Sequence, residues 1–370
     1  MTIPNDADAA ALAALGWDET FAAAFRALAD DDALPARVLA RHRAEYLIDG
    51  GGGARAAVAA GRLHRESEAA RDPSLLPAVG DWVAVAGAEG AGGRAVMRAV
   101  LPRRSAFVRK AAGSEVAAQV VAANVDVALL AAPLPDGVNP RRLERFAAMA
   151  WEGGAVPVIL LTKRDLADDA SLAAATADAL GAAPGADLVA VSAETGEGLD
   201  ALAAHLAPGR TAVLLGASGV GKSTLVNRLA GTELLRTAAL RADGKGRHTT
   251  THRELVRLAS GALLIDTPGV RELALWGSGA GVEAAFDDVA TLAVGCRFAD
   301  CAHDSEPGCA VRDAVARGAL DAARLEAWRA LARELAWLAR RQDDRAMAAE
   351  RARVKSIMRG ARVHAKRKYD

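Results

Sequence analysis

The chain has 370 residues and a formal net charge of +0, with 46 lysines and arginines against 46 aspartates and glutamates. That length predicts two or three domains, and the even balance argues neither for nor against nucleic acid as a partner. Although 52% of residues are hydrophobic, alanine inflates the share, and no stretch approaches the roughly 18 uninterrupted apolar residues of a membrane span, so no membrane partner is expected.

Residues 1–10 are polar and acidic, without the basic-then-apolar layout of a secretory signal, which predicts a cytoplasmic protein. An alanine-rich stretch from Leu12 to Leu28 predicts a helical leader ending near Pro35. Short strand-like runs follow at Arg37–Ala40, Glu45–Ile48, Ala56–Ala59, Asp81–Val85 and Arg94–Val100, punctuated by Gly50–Gly53, Pro77, Gly80, Gly90, Gly92 and Gly93. Such a series fits a small β-barrel of the oligonucleotide-binding (OB) type, and it fits a small β-sandwich as well.

From Val120 the texture changes. Val125–Leu130 and Val156–Leu161 are apolar runs of the kind buried on both faces of a parallel sheet. Helical segments follow at Arg141–Trp151 and Ala170–Leu180, then the strand Leu188–Val191, the helix Leu199–Leu206 and the strand Thr211–Leu215. This alternation predicts a doubly wound α/β domain running to about residue 285.

The chemistry sits at the ends of those strands. Thr162-Lys163-Arg164-Asp165 follows the second apolar run, and Ser192-Ala193 follows Leu188–Val191. A carboxylate at Asp165 can accept from guanine N1–H and the 2-amino group, donors that adenine lacks, so the unmatched base is rejected. Lys163 would cover the base, and the Ser192-Ala193 backbone would face guanine O6. Next comes Gly216-Ala217-Ser218-Gly219-Val220-Gly221-Lys222-Ser223-Thr224, a G-x-x-x-x-G-K-[ST] run between a strand and a helix. Its glycines let backbone N–H groups and the helix N-terminus face phosphates. Lys222 would neutralise the β- and γ-phosphates, and Ser223 would ligate Mg²⁺.

Asp266-Thr267-Pro268-Gly269 closes the strand Ala262–Ile265, with Asp266 holding Mg²⁺ through water and the Gly269 N–H sensing the γ-phosphate. Ras-like enzymes orient the attacking water with a glutamine after this motif, but here Val270 follows. The nearest polar candidate is His248 in Gly246-Arg247-His248-Thr249-Thr250-Thr251, with Thr250 or its neighbour Thr249 reaching Mg²⁺. His248 could equally pack or contact RNA. Since the base motifs precede the phosphate motifs, the usual GTPase order is circularly permuted.

All three cysteines lie in Cys296-x4-Cys301-x-His303-x5-Cys309. Three thiolates and one imidazole suit a closed, structural Zn²⁺, one per chain. Helices are predicted at Leu320–Arg340 and Ala346–Arg359, and the end of the chain is basic through Arg351, Arg353, Lys355, Arg359, Arg362, Lys366, Arg367 and Lys368.

With these motifs placed, the chain resembles the RsgA (YjeQ) family, circularly permuted GTPases that act in maturation of the small ribosomal subunit. The resemblance runs from Arg37 onward. Its pieces include Pro77–Val83, Arg103-Arg104-Ser105, Val108-Arg109-Lys110, Ala122–Asp126, the nucleotide motifs above, Cys296-Arg297-Phe298 and Glu306-Pro307-Gly308-Cys309. It implies a multidomain α/β protein: an OB-type β-barrel in 34–112, a circularly permuted P-loop GTPase domain in 113–285, and a zinc-binding helical domain with a basic tail in 286–370. Residues 1–33 form a leader of unknown role. The resemblance further implies a monomer that binds GTP and GDP with Mg²⁺, binds the small subunit and its rRNA, and is stimulated by that subunit. Two other readings are a metabolic P-loop enzyme, such as a kinase or chaperone, and a zinc-stabilised RNA-binding module with an inert G domain. The Thr162–Asp165 motif counts against the first, and intact Lys222, Ser223 and Asp266 count against the second.

Overall fold

The structure, a computed structural model, describes residues 6–42, 44–70, 72–86, 93–110, 118–232, 254–266, 275 and 279–340. The leader is two helices rather than one, α1 (Asp6–Ala14) and α2 (Glu19–Arg26). Asp18 stops a continuous helix because its carboxylate caps α2, accepting from the Thr20 and Phe21 N–H groups at 3.0 and 3.2 Å. Phe21 and Trp17 then pack on Trp82 of the following domain, with Leu12, Leu15 and Leu101 around them.

Strands β1 (Ala33–His42), β2 (Glu45–Asp49), β3 (Ala54–Ala59), β4 (Trp82–Ala86) and β5 (Ala95–Val100) close on themselves in the order β1-β2-β3-β5-β4-β1. Every pairing is antiparallel except β3 with β5. Closure decides for the OB-type barrel over the sandwich. Residues two apart fill the interior, as the strand period requires: Ala36 and Val38, Tyr46 and Ile48, Val83 and Val85, Ala95 and Met97. Helix α3 (Gly61–Ala70), which the sequence reading lacks, joins β3 to β4 and buries Leu63.

A hairpin of β6 (Ala106–Lys110) and β7 (Ala118–Ala123) connects the barrel to the next domain, so the expected boundary at 112/113 falls between two strands that pair with each other. The second sheet has the order β10-β9-β8-β11-β13-β12, comprising β8 (Val127–Pro133), β9 (Val156–Thr162), β10 (Asp187–Ala190), β11 (Thr211–Gly216), β12 (Glu254–Arg257) and β13 (Leu263–Asp266). All its pairings are parallel except that of β12. Both faces are covered. Ala128 and Leu130 pack with α4 (Pro140–Glu152) and α5 (Asp169–Ala182), while Val127, Leu129 and Ala131 pack with α6 (Leu199–Ala203) and α7 (Lys222–Ala230). The two sheets touch where Ala40 of β1 pairs with Glu254 of β12.

Beyond the sheet come α8 (Ala280–Ala285), α9 (Asp287–Ala293), α10 (Ala310–Ala316) and α11 (322–340). The expected boundary at 285/286 falls between α8 and α9, and Phe286 is buried in the core that α4 and α5 share. The helix expected at 346–359 and the basic tail lie outside the described residues. Among the described residues, no helix is long and apolar enough to cross a membrane.

Candidate nucleotide site and metal centre

In this sheet β8, β9 and β10 advance to one side, and β11 starts again on the other side of β8. Open α/β sheets bind ligands at such a switch point, outside the carboxyl ends of the strands. The loop after β11 begins at Gly216 and enters α7 at Lys222. Gly219 (φ +84°) and Gly221 (φ +96°) adopt the left-handed backbone that turns the chain over. Val220 between them is buried, whereas Ser218 is exposed and Ala217, Ser223 and Thr224 are half-buried. The Lys222 ammonium donates to the Gly216 and Ala217 carbonyls at 2.8 and 2.7 Å. It therefore rests over the loop that its charge would serve.

The base motif is joined to this loop. The buried Thr162 hydroxyl lies 2.7 Å from the Val220 carbonyl, so it donates there and fixes β9 to the turn after β11. Lys163 has φ +60°, a left-handed conformation that turns Asp165 out to solvent. Arg164 donates its own N–H to the Val191 carbonyl at 3.1 Å and pairs at 3.4 Å with Glu197, which ties the base loop to the one carrying Ser192 and Ala193. That second loop is closed on itself. The Ser192 N–H donates to Glu197 O (3.0 Å), its carbonyl accepts from the Gly196 N–H (3.0 Å), and its hydroxyl accepts from the Thr195 N–H (3.1 Å). The Ser192 backbone is thus committed to loop shape, and Ala193 beside it is half-exposed. The arginine–glutamate tie was missed in the sequence, where Arg164 occupies the variable position of its motif.

Asp266 is the last residue of β13, its backbone paired with Glu254. His248, Thr250 and Gly269 lie outside the described residues.

Cys296, Cys301, His303 and Cys309 converge, with their ligand atoms all within 4.8 Å of one another. The Cys296 and Cys309 sulfurs are 3.9 Å apart, and His303 Nδ1 is 3.6 and 3.4 Å from them. A tetrahedral ion bonded at about 2.3 Å to sulfur and about 2.0 Å to nitrogen requires S···S and S···N spacings of roughly 3.8 and 3.5 Å. The donor set therefore fits a metal ion.

Three groups to which the sequence reading gave no role at the metal hold this site. The Glu306 carboxylate accepts from the N–H groups of Ala302, Asp304 and Ser305 at 2.9, 2.9 and 3.1 Å. Its own N–H first, and then these bonds, hold its carboxyl down to about 2. From α11, Trp328 lies against the His303 ring at 5.0 Å, and Arg329 donates to the His303 carbonyl. The Pro307-Gly308 turn after Glu306 is the one local signal that could have pointed to the carboxylate.

A protein-family model described as RsgA GTPase matches residues 100–276. The Small ribosomal subunit biogenesis GTPase RsgA of Opitutus terrae is 48% identical over 361 residues, covering 95% of this chain and 97% of that one. Its namesake in Streptomyces coelicolor is 47% identical over 341 residues, covering 91% and 90%. Among solved structures, YjeQ from Thermotoga maritima aligns with a TM-score of 0.58 at 23% identity, covering 80% of this chain and 96% of that one. YloQ, a circularly permuted GTPase, gives 0.55 at 22%, covering 85% and 96%. These likenesses show the fold to be that of the permuted GTPases.

Proposed function

The chain belongs to the RsgA GTPase family and is a GTP-hydrolysing enzyme, and from that premise we propose that it acts as a switch in late maturation of the small ribosomal subunit, with the subunit stimulating hydrolysis. The observation that carries the nucleotide reading is the bond from Thr162 to the Val220 carbonyl. It joins a guanine-type loop to a phosphate loop at one end of one sheet, in permuted order.

In this reading Asp165 accepts from guanine N1–H and the 2-amino group, the Lys163 stem covers the base, and the Ala193 N–H meets O6. Thr162 and Ser192 position those groups rather than touching the base. The backbone of Gly216–Thr224 surrounds the phosphates, and Lys222 exchanges its two carbonyls for phosphate oxygens. Ser223, Asp266 and Thr250 would hold Mg²⁺, which supplies charge neutralisation at the β- and γ-phosphates when bound. The Gly269 N–H senses the γ-phosphate, and His248 orients the attacking water. Water adds to the γ-phosphorus, the bond to the β-phosphate oxygen breaks, and GDP and phosphate leave.

The Cys296–Cys301–His303–Cys309 site takes one structural Zn²⁺, which leaves no open position for catalysis. The chain divides into a leader, a barrel, a GTPase domain and a zinc-binding domain, expected at 1–33, 34–112, 113–285 and 286–370, with the β6–β7 pairing spanning the second boundary and the core around Phe286 spanning the third. The barrel and the basic tail contact rRNA, and the protein works as a cytoplasmic monomer. The test is turnover of GTP and ATP with and without purified small subunits. GTP-selective turnover that rises with subunits is expected, and equal use of ATP or indifference to subunits would overturn the reading.

A further inference from the structure

Arg37 in β1 is a buried charge for which the reading above has no task. Only 1% of it is exposed, and burial pulls its guanidinium down to about 10 against the opposing pull of Asp126. Its hydrogen bonds end in four separate parts of the molecule. They reach the Leu15 carbonyl after α1, the Gly80 carbonyl ahead of β4 (3.3 Å), the Asn124 carbonyl between β7 and β8 (3.3 Å), and the hydroxyl of Thr211, the first residue of β11 (2.7 Å).

None of these acceptors carries a formal charge. A buried cation bonded only to neutral oxygens is costly, and an apolar side chain of similar length would fill the space more cheaply. What the guanidinium supplies is a rigid plane of donors that fixes several partners at once. Thr211 is held from its other side too, its N–H donating to Asp126 at 2.7 Å. On the leader side the fit is close. Gly16 has φ +85°, and a Cβ there would lie 2.6 Å from Arg37 Nη1 and 2.7 Å from the Gly209 carbonyl. From Thr211 the chain runs straight along β11 into the phosphate loop.

We propose that Arg37 is a positioning residue that couples the leader and barrel to the phosphate loop, by fixing the start of β11 against β1. A partner that loads the barrel then acts on Gly216–Thr224 through one hydrogen-bonded strand. This rests on the reading that the small subunit binds the barrel and stimulates hydrolysis.

Thr211→Val tests it, because valine keeps the shape and removes one acceptor while Arg37 retains three. GTP affinity, subunit affinity and basal turnover are expected to stay within about twofold, while subunit-stimulated turnover falls about 10-fold, inside the usual range of coupling between sites. Subunits should also slow amide exchange at residues 211–216 in the unaltered protein and not in the variant. Gly16→Ala, which presses on the guanidinium from the leader, should give the same separation of basal from stimulated rates. Full stimulation in both variants overturns the proposal, and so does a loss matched by weaker subunit or GTP binding. If subunits fail to stimulate the unaltered protein, the proposed function falls first and this coupling with it.

Discussion

Asp165 stands exposed at the mouth of its loop, with its neighbours Thr162 and Arg164 occupied in holding that loop. In the proposed reading it is this carboxylate that accepts from the guanine edge. Asp165→Asn should weaken GTP binding about 100-fold, the cost of roughly two charge-assisted bonds, and should favour xanthine nucleotides; titration with fluorescent nucleotides measures both, and unchanged GTP affinity would contradict the assignment. His248→Ala is expected to keep GTP and subunit binding and to lose most of the stimulated turnover, since Val270 offers no hydrogen bond to water. Stimulated rates like those of the unaltered protein would mean that another group orients it. Glu144 shows a different effect of position. Burial raises its carboxyl above the ordinary range, against the pull of Arg324 3.1 Å away. A raised carboxyl favours the fold while protonated, so its contribution is present below about pH 4.3 and fades as pH rises through the folded value. Glu144→Gln removes that dependence, so the stability of the variant relative to the unaltered protein should rise as pH goes up, as read by urea unfolding at a series of pH values. A difference that ignores pH would contradict this.

The elements that carry chemistry were legible because their signals are local. The apolar runs Val125–Leu130 and Val156–Leu161 read as strands and stand as β8 and β9, and the glycine pattern after the run Thr211–Leu215 follows β11 as the phosphate-loop reading requires. Elements set by distant contacts were not legible. Alanine suits a helix on any face, so the leader read as one helix until the Asp18 cap and the Trp82 contact divided it. Helix α3 is mostly polar and buries only Leu63 and Ser67, so few apolar positions mark it, and β6 and β7 are fixed by pairing with each other across a gap in the sequence. At the metal loop the four ligands were readable from spacing, while Glu306, Trp328 and Arg329 act through backbone bonds and a ring contact that spacing does not encode. Cys301→Ser should lower zinc occupancy and loosen the domain after residue 286 while leaving GTP affinity alone, because binding energy there is folding energy. Metal analysis and limited proteolysis check it, and a variant with full zinc and unchanged cleavage would contradict it.

At the scale of the whole molecule, three folded parts are fastened by buried polar groups at both seams. Arg37 holds the first. Arg324 holds the second, reaching from α11 to Asp288, to Glu144, and to the Ala182 and Ala285 carbonyls, with its guanidinium 4.5 Å from the centre of the Phe286 ring. Arg145 with Glu334, and Glu152 with the Gly279 and Gly281 N–H groups, fasten the same face of α4. Multidomain chains commonly unfold in stages, but here Phe286 and α4 share a single core across the expected boundary. The chain is therefore expected to give one calorimetric transition for the GTPase and zinc domains together. Arg324→Met should undo that unity. It leaves the buried Glu144 and the part-exposed Asp288 without their common cation, and breaking a buried pair on one side costs at most about 3–5 kcal/mol. The loss falls on the docking of α11 rather than on the sheet, so the transition should split, with the lower-temperature part carrying helix loss and zinc release, and the upper part still shifted upward by GTP. A single transition in the variant at the unaltered temperature would show that apolar contacts around Phe286 fasten the seam without Arg324.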